Sequence, residues 1–166
     1  MTEYVSDPTI STFDEQPCIG IRTTTQFRGM SKVVELQMKE LRKWVNAQGI
    51  AEEGPYFLRY HVIDMAGMMD IEVGFITAKP MSGDGRVMPG ALPAGRYAHV
   101  TYSRFALQGH RTLVEWIKEQ GLPADRWESE AGDVFACRYE VYLTDYRVEP
   151  RKKDWQIRLA IRLKDD

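Results

Sequence analysis

From Ser31 to Gln48 the apolar residues recur at spacings of three and four. Val34, Met38, Leu41 and Val45 carry the pattern, with Trp44 beside them. That period predicts one amphipathic helix, and Gly49 is placed to end it. A second helix is expected from about Gly109 to Gln120. Elsewhere a period of two takes over, and it predicts strands at 18–25, 56–63, 70–78, 95–103, 135–145 and 154–164. The last is the most regular: Trp155, Ile157, Leu159, Ile161 and Leu163 share one side, against Gln156, Arg158 and Arg162. In "RYEVYLTD", 138–145, Tyr139, Val141 and Leu143 form the apolar set, and Arg138, Glu140, Tyr142 and Thr144 oppose it. Alternation alone therefore puts Glu140 on the more polar face, as a solvated glutamate or one paired with an arginine across strands. Glu72 alternates in the same way against Ile71, Val73 and Phe75. It shares its face with Gly74, whose missing side chain leaves room for a close approach.

The elements come in a repeated order. "LRKWVNAQGI" (41–50) lies over "LVEWIKEQGL" (113–122), with Leu41, Trp44, Gln48 and Gly49 matching Leu113, Trp116, Gln120 and Gly121 at a constant offset of 72 residues. The expected fold is α+β: a duplicated strand–helix–strand–strand module forming one antiparallel sheet, with two helices and a groove between them. Residues 1–14 are expected to be a flexible N-terminal tail and 15–166 a single domain. Its two repeats span about 16–78 and 95–164, joined by a Gly/Pro-rich linker at 79–94. Ligand sites favour such junctions. If Glu72 and Glu140 both look into the groove, the pocket is acidic, and the aromatic residues around it are candidate walls. Trp44 and Trp116 hold matching helix positions and fit a groove wall or a core equally well. Tyr60, Phe57 and Tyr97 are further candidates, with Tyr102, Trp127 and Trp155 as weaker ones.

Composition narrows the classes. A net charge of −2 over 166 residues gives no field for gripping nucleic acid or an anionic membrane. No apolar run approaches the roughly 20 residues of a membrane helix, and the N-terminus lacks the pattern of a signal peptide. Cys18 and Cys137 both fall in expected strands and read as reduced core residues of a cytoplasmic protein. His61, His99 and His110 are dispersed, without metal-ligand spacing, and are read as structural; no metal or cofactor is implied. No nucleophile elbow, Walker loop or dinucleotide fingerprint occurs. The basic run Arg151–Lys153 reads as a solvated turn.

The ordered set "IRTTTQF", "ELRKWVNAQGI", "GPYFLRYH", "IEVGFITAKP", "GRYAHVTY", "LVEWIKEQGL" and "RYEVYLTD" resembles the GyrI-like (DNA gyrase inhibitor-like) effector-binding domain over about residues 16–164. The resemblance implies a duplicated module and a groove that takes small, often aromatic and cationic, molecules beside a buried glutamate. By the match of "YEVY" it assigns that glutamate to Glu140, with Tyr142 beside it; "IEVGF" carries Glu72. At "TYSRF" the sequence departs from a His-x-Gly-x-Tyr-like run common in relatives, so no role passes to Tyr102. Relatives occur fused to DNA-binding domains or alone, and this sequence resembles a standalone member. The function implied is a binding protein for hydrophobic, aromatic or cationic compounds, sequestering or sensing them, with no direct nucleic-acid or membrane contact. One alternative is a hydrolase of cyclopropane-containing electrophiles, with Glu140 as acid/base and Tyr142 orienting substrate or water. Another is a macromolecular interaction protein such as a gyrase modulator. In either small-molecule reading, burial is expected to raise the Glu140 pKa.

Overall fold

Alternation decides which side of each strand is apolar, and the strands of this chain join their apolar sides into one antiparallel sheet. The computed structural model describes residues 4–50 and 54–166. In chain order it contains β1 (Thr9–Phe13), β2 (Gln16–Gln26), α1 (Met30–Ala47), β3 (Tyr56–Ile63), β4 (Met68–Ile76), β5 (Met88–Leu92) and β6 (Gly95–Tyr102). Then follow α2 (Ala106–Glu119), β7 (Arg126–Ser129), β8 (Gly132–Phe135), β9 (Arg138–Tyr142), a 3-10 turn (Lys152–Asp154) and β10 (Ile157–Arg162). The sheet runs β1-β6-β10-β9-β3-β4-β2-β5, and the β7–β8 hairpin attaches through β8 to β3. The class is α+β, with two helices against one antiparallel sheet.

Three stretches differ from expectation. Residues 9–13 of the expected tail form β1, paired with β6, while residues 1–3 lie outside the described residues. Residues 88–92 of the expected linker form β5, which closes the far edge against β2. The expected strand 135–145 is split, with Phe135 ending β8 and Arg138 starting β9. Edge pairing explains the first two: an open edge on β6 or β2 exposes backbone donors and acceptors that any nearby extended segment can satisfy.

Both helices end where glycine permits a left-handed backbone, at Gly49 (φ 69) and Gly121 (φ 64). The stripe Val34, Met38, Leu41 and Val45 is buried as its spacing requires, and Leu113 and Ile117 do the same for α2. Trp44 and Trp116 are partly buried and pack against this core. Helix α1 lies over β2 and β4, and α2 over β6, so β9 sits between them near the centre of the sheet. Among the described residues, no helix is long and apolar enough to cross a membrane.

The register separates the two faces. Val73, Leu58, Glu140, Leu159 and Val100 are cross-strand neighbours in one row. They belong to the face covered by the helices. One residue along the strands, Glu72, Arg59, Tyr139, Ala160 and His99 form a row on the opposite face. Glu72 and Glu140 therefore lie on opposite sides of the sheet and cannot share a groove. Phe57 and Tyr97 also lie on the far face, packed in a second cluster with Cys18, Tyr139 and Val141. The space left by Gly74 is taken by the Phe57 ring, into which any Cβ there would project.

Candidate functional site

Glu140 is the one charged residue in its buried cross-strand row and is 6% exposed. A carboxylate in such a place needs hydrogen-bond donors on both oxygens. Tyr60, two positions from Leu58 on β3, donates its hydroxyl to Glu140 Oε1. Tyr102, at the end of β6, donates to Oε2. His110 Nε2, from the first turns of α2, lies 3.4 Å from Oε1. On its other side His110 Nδ1 receives Arg138 Nη2 at 2.8 Å. A guanidinium has only donors, so Nδ1 is the acceptor and the ring proton sits on Nε2, toward Glu140. The Arg138 guanidinium is stacked 4.9 Å from the Phe135 ring centroid and 5.9 Å from that of Tyr60.

Burial alone would raise the Glu140 pKa; His110, Tyr102 and Tyr60 outweigh it and hold the carboxyl down at about 2. The rise expected from burial is thus reversed, because the donors were not visible in the sequence. Burial and the neighbouring carboxylate push Tyr60 and Tyr102 the other way, upward, so both keep their protons. Glycine sets up this geometry at one point. A Cβ on Gly109 would fall 2.6 Å from Tyr102 Cδ1, so its absence is what lets α2 approach β6 and bring His110 to Glu140.

Tyr142, on the same face two residues further on, is 5% exposed, and its hydroxyl has no hydrogen-bond partner among the described residues. Beside it opens a groove of about 520 Å³, walled by Val34, Met38 and Arg42 of α1 and by Tyr142, Tyr146 and Trp155. A smaller extension of about 270 Å³ continues past Arg42 toward Pro55 and Tyr56. Trp155 stands edge-on to Tyr142 at 5.4 Å, and Trp155 Nε1 donates to the Glu149 carbonyl at 2.5 Å. The groove lies between α1 and the 142–155 segment rather than between the two helices. Its lining is aromatic but not acidic: it includes Lys32, Lys39, Arg42 and Lys152 against Glu35. Arg151, Lys152 and Lys153 lie exposed in a turn, as expected, and the Lys152 ammonium lies 5.1 Å from the Tyr142 ring centroid.

Of the sequence candidates, the fold brings Glu140, Tyr142 and Tyr60 together. Trp44 and Trp116 stand on the helices at the same face, outside the groove lining. Glu72, Phe57 and Tyr97 fall on the far face, where Glu72 Oε1 accepts from His61 Nε2 at 2.8 Å and the Tyr97 hydroxyl donates to the Pro93 carbonyl at 2.6 Å. His110, Arg138, Arg42 and Lys152 were passed over as site residues, and Tyr102 stood only among the weaker candidates. Only Tyr102 carried a local signal, because it shares parity with the apolar Ala98 and Val100. Its meeting with Glu140 crosses β10 and needs the sheet order.

A buried, hydrogen-bonded glutamate two residues from an aromatic groove wall on an α+β sheet fits a small-molecule-binding domain. The chain belongs to the family described as the GyrI-like small molecule binding domain, whose model matches residues 6–164. Among solved structures it is similar to the C-terminal domain of EcmrR, with 14% identity and a TM-score of 0.66, covering 99% of this chain and 100% of that one. It is also similar to EcmrR in a DNA complex, with 14% identity and a TM-score of 0.69; here 99% of this chain covers only 59% of that one, so the chain spans well under two thirds of EcmrR. A third neighbour is SAV2435 bound to tetraphenylphosphonium, with 9% identity and a TM-score of 0.59, covering 96% of this chain and 94% of that one. At these identities the likeness shows the fold alone. No curated protein matches by sequence.

Proposed function

We propose that this chain binds hydrophobic aromatic compounds in the groove beside Tyr142 and serves to sequester or sense them. The observation that carries this reading is a groove of about 520 Å³ whose wall is formed in part by the Tyr142, Tyr146 and Trp155 side chains. That volume is within the range of small-molecule sites, roughly 300–1,000 Å³. Tyr146 and Trp155 add ring surfaces against which a planar ligand can stack. Glu140 acts from below: its ion network fixes β9, Tyr60, Tyr102 and α2, and so holds the groove floor rigid. The tetraphenylphosphonium complex of SAV2435, a ligand of four phenyl rings, supports the aromatic part of the reading.

The two β-α-β-β runs are read as copies of one module. The 72-residue offset of Trp44 and Trp116 supports this. So does the sheet order, in which β6-β10-β9 mirrors β2-β4-β3 about the β9–β3 junction. The hydrolytic alternative draws less support, since a carboxyl held at about 2 has no proton to give at neutral pH and both its oxygens are engaged.

The test is fluorescence titration with N-phenyl-1-naphthylamine, a neutral aromatic dye, on the wild type and on Ser31→Trp. Ser31 is an exposed position on the groove wall, so the indole fills the groove without disturbing the core. Saturable binding that Ser31→Trp abolishes is expected. Binding that Ser31→Trp leaves unchanged would remove the groove as the site.

A further inference from the structure

The charges around the groove are unequally matched. Lys39 faces Glu35 at 3.7 Å, so this pair cancels. Among the described residues, no carboxylate stands within ion-pair distance of Lys32, Arg42 or Lys152, which also line the groove. The acids of the neighbouring segment are engaged elsewhere: Asp145 with Arg147 at 2.9 Å, Glu149 with Arg151 at 3.1 Å, and Asp154 with Arg104 at 2.8 Å. Glu140 is not part of the groove lining; it acts on Lys152 through space without forming an ion pair with it, and its oxygens are taken by Tyr60, Tyr102 and His110.

The aromatic walls are also already faced by cations. Lys152 Nζ lies 5.1 Å from the Tyr142 ring centroid. The Arg42 guanidinium lies 3.7 Å from that of Tyr146 and 5.6 Å from that of Tyr56. These are cation–π positions that a cationic ligand would itself occupy. Such a ligand would have to displace the chain's own cations or sit against them. A ligand with an aromatic body and an anionic group meets the opposite situation. Its rings replace water over Tyr142, Tyr146 and Trp155, and its anion finds Arg42 and Lys152 at the mouth.

From this charge pattern we infer that the groove selects aromatic anions, compounds joining fused or linked rings to a carboxylate, sulfonate or phosphate, with Arg42 and Lys152 as the residues that set this specificity. The inference rests on the groove reading above and concerns the charge of what enters it.

The experiment compares three dyes at low ionic strength: 1-anilinonaphthalene-8-sulfonate, its neutral parent N-phenyl-1-naphthylamine, and the cation rhodamine 6G. Each is titrated against the wild type, Lys152→Gln and Ser31→Trp. Two partly exposed charge contacts are together worth about a tenfold preference for the sulfonate over its parent. That preference should shrink several-fold in Lys152→Gln, and should weaken when salt is raised. Lys152 is exposed, so its replacement leaves the fold intact. Rhodamine 6G binding more tightly than the sulfonate in a manner Ser31→Trp blocks, or a sulfonate preference that Lys152→Gln leaves unchanged, overturns the charge assignment while keeping the groove. Absence of binding by all three dyes overturns the groove reading and the charge assignment with it.

Discussion

Replacing Glu140 by glutamine isolates one carboxyl whose ionisation is tied to folding. In the folded chain its pKa is held at about 2, against a reference near 4.5 for a free glutamate. A depressed carboxyl pKa stabilises the fold at pH values above the unfolded pKa, and the contribution is lost as pH falls toward the folded value. The difference corresponds to about 3 kcal/mol, present at neutral pH and lost between about pH 5 and pH 2. Glu140→Gln removes that contribution at every pH and leaves the Tyr60 and Tyr102 hydroxyls one amide oxygen to share. The stability difference between wild type and variant should therefore be largest near pH 7 and should shrink by about 3 kcal/mol by pH 2. The assay is denaturant unfolding of both proteins at several pH values, with slopes checked for constancy. Subtracting the two curves cancels the other carboxyls, including the exposed pairs of Asp145 and Glu149. Parallel curves, with a constant difference from pH 7 to pH 2, would refute the claim that the network stabilises an ionised Glu140.

Two further substitutions test the surroundings. In Gly109→Ala two effects oppose: alanine favours a helix by up to about 1 kcal/mol, while its Cβ would lie 2.6 Å from the Tyr102 ring. Overpacking of about 1–3 kcal/mol should win and displace Tyr102 from Glu140, so differential scanning calorimetry should show a lower Tm; a rise would mean α2 yields freely. Tyr142→Phe removes a buried hydroxyl that has no partner among the described residues but keeps the ring on the groove wall, so unliganded stability should hold or rise by up to about 1 kcal/mol while dye affinity is unchanged. A Tm loss of several degrees without ligand would show that the hydroxyl is satisfied within the fold.

The periodicities of the chain determined most of its local structure. The α1 stripe, the parity of β10 and β9, and the glycine stops after both helices follow from residues close in sequence, because helix and strand geometry repeat every few positions. Parity alone also fixed that Glu140 and Tyr142 share a side of β9 while Tyr139 and Val141 take the other. Which side was wet could not be read locally. The sheet order decided it, by seating β9 at the centre beneath two helices, where a face that looks polar in sequence is buried. The same order put Glu72 and Glu140 on opposite faces, although each alternates identically along its own strand. Tertiary structure also decided the electrostatics. A buried glutamate is expected to have a raised pKa until one knows that Tyr60 from β3, Tyr102 from β6 and His110 from α2 converge on it, contacts separated by 80, 38 and 30 positions along the chain. Lys152 shows the same division: its basic neighbours suggest the solvated turn in which it is found exposed, but only the path of the 142–155 segment brings its ammonium to the Tyr142 ring. Hydrophobic patterning is a short-range property of the chain, whereas the matching of buried charges is set by which distant residues the fold brings within reach.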